Sequence, residues 1–300
     1  MNMRIKPRIF ARSAWRRAMG SLAATAALQA VATAAAPPQL TAAQIVDRFI
    51  AARGGLAAWH AVRTMSLSGT LDAGTGDSVA RSEKFVKSMT TPVTRREAIA
   101  QMTAPVVSSP TAKQVELPFV LDMARPNKSR VEVSFAGKTS IQTFDGKNGW
   151  LVRPYLNRDD AEPFTPAQAK AQAGKWDLDG PLLDYAASGA KIALEGVDAV
   201  DGHDAYRIRL TSRTGRVQHF WIDAHSFLDV KVEGSPREMD GRLRTVWVYQ
   251  RDFHDVAGGL KIPFVLVTAV DGYADTHKMV IDKVEVNPAL ADTLFEKPGV

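Results

Sequence analysis

Hydrophobic and polar residues alternate with a period of two over much of this chain. Val131, Val133 and Phe135 have polar neighbours on both sides, and the same alternation recurs over 206–210 and 228–232. This period is typical of a strand with one buried and one solvated face. Because few helical segments interrupt these runs, the pattern predicts a mainly β (α+β) domain built on an antiparallel sheet.

Short turn signals separate the predicted strands. They are six dipeptides that end in glycine: Asp145-Gly146, Asp201-Gly202, Thr214-Gly215, Asp240-Gly241, Gly258-Gly259 and Asp271-Gly272. Such pairs adopt the positive φ angles of tight hairpins and set consecutive strands side by side. The spacing therefore predicts a meander in a barrel, half-barrel or sandwich, and it disfavours a parallel α/β sheet.

Three segments of the sequence are predicted to be helices. Thr41 and Gln44 have the spacing of a capping box, and the apolar residues after them predict an amphipathic helix that ends near Gly54. A second, short helix is predicted over Leu56 to Val62, and a third over 165–174. These few helices are expected to cover only part of the sheet. The stretch 72–113 is rich in Thr, Ser, Pro and Gly and is left as an excursion without an assigned structure.

The N-terminus has the pattern of an export signal. Six basic residues and no acidic residue precede the alanine-rich stretch Ala18 to Ala36, and small residues follow at Ala32-Thr33-Ala34. This pattern predicts a cleavable signal peptide over 1–34, a single domain over 35–300 and a periplasmic location. The alternative is an uncleaved anchor, which the many alanines disfavour. Sec export is favoured over the twin-arginine route, because Trp15 precedes Arg16-Arg17 where that motif has Ser or Thr.

The charge of the chain is concentrated in this leader. The chain has 38 basic and 32 acidic residues, and six of the basic ones lie before Ala34, so the remainder carries 32 of each sign. A balanced body gives no reason to expect nucleic-acid binding. The chain has no cysteine, which removes disulfides, thiolate chemistry and N-terminal lipid attachment. We expect a monomer without a cofactor.

Candidate catalytic and metal-binding residues are few. His219 and His225 bracket a predicted strand and are the one histidine pair that suggests zinc, although scattered histidines are more often solvated or structural. Paired carboxylates, of the type that a glycosidase needs, are found at 159–162 and at 177–179. Both pairs lie in turn-rich sequence, where aspartate more often bends the backbone. We therefore predict no catalytic residue and no metal ligand, with a hydrolase using Asp160 and His219 as the alternative.

Aromatic residues lie in or beside most of the predicted strands. Their simplest interpretation is a packed core without a ligand. If the helices cover the dry face of the sheet incompletely, an apolar groove remains beneath them. The candidate groove residues are Phe135, Phe144, Trp150, Tyr206, Trp221, Trp247 and Phe264.

An ordered set of short motifs resembles the LolA/LolB-like outer-membrane lipoprotein-sorting superfamily. The motifs are Gly54-Gly55-Leu56 with Trp59, Arg125-Pro126-Asn127-Lys128, Phe144-Asp145-Gly146-Lys147, Gly180-Pro181-Leu182-Leu183, Phe220-Trp221-Ile222-Asp223, Gly259-Leu260-Lys261-Ile262-Pro263 and Asn287-Pro288. The resemblance implies a strongly curved antiparallel sheet, a half or unclosed barrel, with a helical lid.

The same resemblance implies a function. It is a non-enzymatic periplasmic carrier that shelters the acyl chains of lipoproteins or lipids in an apolar groove, with an inner- or outer-membrane protein as a further candidate partner. The alternative is an envelope-sensing regulatory or protein-interaction module on the same fold without transport. The excursion over 72–113 departs from the superfamily pattern, and the absence of cysteine excludes its lipid-anchored version.

Overall fold

The computed structural model describes residues 40–75, 114–172, 178–239 and 241–299. The signal peptide predicted over 1–34 lies outside these residues. Of the predicted excursion over 72–113, only the first four residues are described, and they continue a strand that ends at Thr75. Among the described residues, no helix has the length and apolarity that a bilayer crossing requires.

Four α-helices are described, and the helices predicted from the sequence are confirmed. They are α1 (Ala42–Ala52), α2 (Leu56–Ala61), α3 (Pro166–Gln172) and α4 (Gly180–Leu183). The predicted capping box is present at the start of α1, where the Gln44 amide donates to Thr41 Oγ1 at 3.2 Å and the Thr41 amide donates to Gln44 Oε1 at 2.9 Å. The same pairing of Thr165 with Gln168 begins α3.

Fifteen β-strands make up most of the described chain. They are β1 (Thr64–Thr75), β2 (Gln114–Ala124), β3 (Lys128–Phe135), β4 (Lys138–Phe144), β5 (Gly149–Arg153), β6 (Arg158–Pro163), β7 (Lys191–Val200), β8 (His203–Thr211), β9 (Val217–Asp223), β10 (Asp229–Glu233), β11 (Arg237–Met239), β12 (Arg242–Arg244), β13 (Val246–Val256), β14 (Leu260–Val270) and β15 (Thr276–Val286). Five of the six dipeptides predicted as turns connect consecutive strands, and Gly241 of the sixth, Asp240-Gly241, precedes β12, while Asp240 lies outside the described residues. Asp201 and Gly202, for example, join β7 to β8 with φ angles of 50° and 84°, as a two-residue hairpin turn requires.

Thirteen strands form one sheet in the order β6-β5-β4-β3-β2-β1-β15-β14-β13-β10-β9-β8-β7, and β11 and β12 form a separate two-stranded ribbon. Every strand pair is antiparallel. The sheet is open, with β6 and β7 as its edges. The predicted fold class, a mainly β unclosed antiparallel sheet, is confirmed.

One face of the sheet, which we call the helix face, packs against α1, α2 and α4; the opposite face is the outer face. A single apolar cluster on the helix face extends from Val131 on β3 to Ile192 on β7. These strands are nine positions apart in the sheet, which would be about 43 Å in a flat sheet at ~4.8 Å per strand. Because α1, with 11 residues, is only about 16 Å long, the sheet must curve around its helices to keep this cluster together.

Candidate functional site

An apolar row crosses four adjacent strands of the helix face. Leu117 on β2 is paired with Leu71 on β1, Leu71 with Met279 on β15, and Met279 with Leu266 on β14. Directly paired residues of an antiparallel sheet point to the same face, so the four side chains form one continuous strip. All four are partly exposed.

Burial increases along these strands toward the helices. One step from the row, Phe119 on β2 and Ile281 on β15 are 3% and 4% exposed, and one step further Leu121 is 2% exposed. The helices therefore seal one end of the face and leave the row at the other end partly exposed. We call Leu117, Leu71, Met279 and Leu266 the apolar row.

The row continues to a cavity beneath the helices. Leu266 is paired with Gln250 on β13, and Gln250 lines a cavity of about 230 Å³. The other walls come from α1, the segment 178–183 and strands β9 and β10: Phe49, Arg53, Leu178, Asp179, Gly180, Pro181, Leu182, Leu183, Gln218, Phe220, Asp229 and Val232. Eight of its thirteen wall residues are apolar and five are polar. The volume is below the range of about 300–1,000 Å³ that is usual for ligand sites.

The polar groups in this cavity form a buried ion pair. Arg53 follows the last residue of α1, and its Nη1 donates to Asp229 Oδ1 at 2.6 Å, while Gln250 Nε2 donates to Asp229 Oδ2 at 2.9 Å. Arg53 Nε also donates to the Lys261 carbonyl at 2.8 Å. The guanidinium lies 5.2 Å from the centre of the Trp59 ring, within cation–π range. This network ties α1 to β10, β13 and β14.

A second ion pair holds α4 over the cavity. Arg125, in the β2–β3 turn, donates from Nη1 and Nη2 to the two carboxylate oxygens of Asp179, each at 2.5 Å. Arg125 also donates to the carbonyls of Val62 at 2.7 Å and Trp59 at 3.0 Å. Because Asp179 immediately precedes α4, this bidentate pair connects the helix to the β2–β3 turn of the sheet.

The seven aromatic residues predicted to line a groove divide between the two faces. Phe144, Tyr206 and Phe264 lie on the helix face: Phe144 is paired with the buried Ser129, and the other two pack against the main apolar cluster. Phe135 follows Val131 and Val133 at strand spacing and shares their face.

The other three predicted groove residues lie on the outer face. Trp150 is paired with Thr143, the residue before Phe144, and therefore points away from the helices. Trp221 and Trp247 pack edge to face with ring centres 5.3 Å apart, in a small cluster separate from the main one. Four of the seven predicted residues thus share the face that carries the apolar row and the cavity, three tryptophans lie on the opposite face, and none of the seven is a wall of the cavity.

Lys231 completes this outer-face cluster. Its Nζ lies 4.4 Å from the centres of both the Trp221 and Trp247 rings and 5.4 Å from that of Tyr249. Burial lowers the pKa of Lys231 from its usual value, and the carboxylate of Asp198 partly opposes this effect. The aromatic residues here pack around a charged side chain and its apolar stem, which accounts for their outer-face position.

The candidate catalytic and zinc residues do not form a site. His219, in β9, contacts the carboxylates of Glu233 and Glu195, whereas His225 lies in the following turn. Glu162 forms ion pairs with Arg153 and Arg158. Within the described ranges, no group of three His, Cys, Asp or Glu side chains could hold a metal ion.

The remaining carboxylate candidates are placed separately. Asp159 and Asp160 lie exposed on the edge strand β6, where charged side chains protect an unpaired edge. Asp179 forms the ion pair with Arg125, and Asp177 lies outside the described residues. Among the described residues, these candidate carboxylates therefore do not face one another across a cavity. Asp179 and Asp229, which both line the cavity beneath the helices, are each paired with an arginine.

No protein-family model and no curated protein matches this sequence. Among solved structures, the chain is similar to a LolA superfamily protein from Nitrosomonas europaea, with 13% identity, a TM-score of 0.49, and coverage of 86% of this chain and 99% of that one. It is also similar to a DUF1329 family protein from Desulfovibrio piger, with 10% identity, a TM-score of 0.49, and coverage of 85% and 97%.

A third similar structure is a domain described as an outer membrane lipoprotein-sorting protein domain from Vibrio parahaemolyticus. It has 9% identity and a TM-score of 0.48, with coverage of 84% of this chain and 95% of that one. The structural comparison thus finds likenesses of 9–13% identity with TM-scores of 0.48–0.49. At this level of similarity it says nothing about what this chain binds.

Proposed function

We propose that this protein is a periplasmic carrier that shelters acyl chains of a lipid or lipoprotein on the helix face of its sheet. The apolar row, which leads to the cavity under α1 and α4, is the observation that supports this proposal. Transferring an acyl chain from water to apolar surroundings gains about 0.8 kcal/mol per CH₂. A chain of sixteen carbons would therefore gain on the order of ten kcal/mol from such a site.

The size of the cavity requires that its cover moves. At about 230 Å³ it holds part of a ligand, so a complete acyl chain occupies both the cavity and the apolar row. The cover best placed to move is α4, because it has only four residues and is held across the cavity by Asp179. Apolar walls bind the chain, and the Arg53 and Gln250 side chains offer donors to a polar head group. This function requires no chemical step, so we propose that the protein is not an enzyme.

The experiment is to extract the protein purified from the periplasm with organic solvent, and to measure native masses before and after extraction. A fluorescent acyl probe is then titrated into the delipidated protein. We expect co-purifying acyl species and saturable probe binding. A protein that carries no acyl species and binds no probe contradicts the proposal.

Two neighbouring positions on β14 give a matched pair of variants. Leu266 belongs to the apolar row, whereas Val267 is paired with Tyr249 and points to the outer face. Leu266→Glu should lose most probe binding, because it places a carboxylate in the proposed path of the acyl chain. Val267→Glu should retain binding, and equal losses in both variants would show that the apolar row is not the binding surface.

A further inference from the structure

Two neighbouring connections form a basic tip at one end of the sheet. They are the β8–β9 turn (212–216) and the segment 234–245, which contains the β11–β12 ribbon; we call them together the hairpin tip. Strand β9 is paired with β10 through Phe220 and Val232, which brings the two connections side by side. Arg216 Nη2 also donates to Ser235 Oγ at 3.3 Å.

The hairpin tip presents apolar side chains to solvent. Leu243 is 76% exposed, more than any other exposed large hydrophobic among the described residues, and Val217, the first residue of β9 directly after the β8–β9 turn, is 44% exposed. The ribbon that carries Leu243 pairs only with itself and not with the large sheet. A lone exposed leucine needs no explanation. Its position at a projecting turn, beside a second exposed apolar residue and several arginines, suggests an interfacial role.

Four of the five arginines of the hairpin tip are exposed to solvent, and the fifth, Arg244, is half-buried with its guanidinium carbon 5.8 Å from the centre of the Tyr273 ring. Within the described part of the chain, none of the five forms an ion pair, whereas Arg207, Arg209 and Arg251 on the nearby outer face are all paired with carboxylates. The five are Arg213, Arg216, Arg237, Arg242 and Arg244. With Glu238 and Asp240 as the only acidic residues of these two segments, the hairpin tip carries a net charge of +3, whereas the rest of the chain after the basic leader has 27 basic and 30 acidic residues, a net charge of −3.

We propose that the hairpin tip docks on an anionic membrane surface, with Leu243 entering the interfacial layer and the arginines binding lipid phosphates. Arginine matches phosphate geometry, and basic residues beside an inserted apolar side chain are the usual combination for interfacial binding. Two exposed apolar residues are too few for the apolar centre of a stable protein interface, so a membrane is favoured over a protein partner. Asp271 and Asp275 in the adjoining turn reduce the attraction, which suits reversible docking.

The absence of cysteine makes insertion of this tip directly measurable. Leu243→Cys introduces a single thiol that can carry an environment-sensitive nitrobenzoxadiazole label, and Tyr155→Cys, at a 49% exposed site near the β6 edge, is the matched control. The purified protein, with N-terminal processing verified by intact mass, is mixed with phosphatidylglycerol–phosphatidylethanolamine vesicles or with phosphatidylcholine vesicles. We expect increased and blue-shifted emission from position 243 with the anionic vesicles only, and none from position 155.

Charge variants test the arginines separately. A basic residue near an anionic surface contributes about 1 kcal/mol, or roughly fivefold in partitioning, so the two-charge change in Arg242→Glu should weaken vesicle binding about twenty-five-fold. Arg63→Glu, an exposed position before β1, should have little effect.

Emission at position 243 that does not change with anionic vesicles, or changes equally with neutral ones, overturns the inference. A change that requires an added envelope protein also overturns it and identifies a protein-binding surface. The inference extends the proposed function, yet its test is separate, because acyl-probe binding to the same protein without vesicles reports on the cavity alone.

Discussion

Arg53 and Asp229 are 176 positions apart in sequence, and their side chains meet at 2.6 Å beneath α1. The two side chains are only 10% and 9% exposed. Removing one partner of a buried pair leaves an uncompensated charge, which typically costs about 3–5 kcal/mol. We expect Arg53→Met to lower the free energy of unfolding by about this amount, measured by urea denaturation.

An exposed ion pair of the same chemistry provides the control for this prediction. Arg251 and Asp201 make a similar contact, but both side chains are 46% exposed, and such pairs contribute at most about 1 kcal/mol. Arg251→Met should therefore change stability little. Equal effects of Arg53→Met and Arg251→Met would show that burial does not set the strength of the Arg53 network.

The pair of Arg125 with Asp179 should control how often α4 opens. Asp179→Asn removes the charge from this pair, so the segment 178–190 should exchange its amide hydrogens faster while α1 stays protected. Asp292→Asn is the matched control, because Asp292 is paired with Lys128 but its own side chain is 83% exposed. Unchanged exchange in 178–190 would show that packing of Leu182 and Leu183 alone holds the helix.

The helices and turns of this fold depend on neighbouring residues and could be predicted from the sequence. The site depends on the register between strands that are far apart in the sequence. The capping box at Thr41 and the turn at Asp201-Gly202 depend on neighbouring residues, so both could be predicted. Alternation along β13 separates Trp247 from Val248 but does not say which side carries the helices. In the structure, Val248 and Gln250 lie on the helix face, whereas Trp247 packs with Trp221 on the outer face.

The polar part of the site had no sequence signal. Arg53 stands beside the predicted helix end, but nothing nearby in the sequence indicates that its partner is Asp229. The apolar row was equally hidden, since it becomes continuous only when β2, β1, β15 and β14 are aligned. A resemblance could suggest the fold, whereas these contacts required the strand register.

Gly69 allows close approach of two central strands. It lies at a bulge in β1, and an added Cβ would lie 2.0 Å from the Val280 carbonyl oxygen. Because that atom belongs to the backbone of β15, Gly69→Ala must separate the strands, and we expect a loss of about 1–3 kcal/mol in unfolding free energy. Gly234→Ala is the milder control, since its nearest neighbour is the Val246 side chain at 3.1 Å. A Gly69→Ala protein as stable as the parent would show that the close approach of β1 and β15 does not require glycine at this position.

Asp122 should make the folded state less stable as pH rises. Burial raises the pKa of Asp122 above its usual 3.8, and Glu132 adds to this, while Ser66 and Arg130 lower it in part. The folded state therefore binds this proton more tightly than the unfolded state does. Its contribution to stability is complete below pH 3.8 and is lost as pH rises through the folded pKa. Asp122→Asn never ionises at this position. The difference in melting temperature, variant minus parent, should therefore increase from pH 3 to pH 7.

Asp145 provides a control of opposite sign for the same scan. Burial works to raise its pKa, but hydrogen bonds from the amides of Asn148 and Lys147 outweigh burial and lower the pKa overall. Here the ionised form is favoured in the folded state, so its contribution is present above the usual value of 3.8 and is lost as pH falls through the folded pKa. Asp145→Asn should therefore lose melting temperature at pH 7 and recover relative to the parent at pH 3. Parallel pH profiles for the two variants would contradict at least one of the two assignments, because the opposite pKa shifts require profiles of opposite slope.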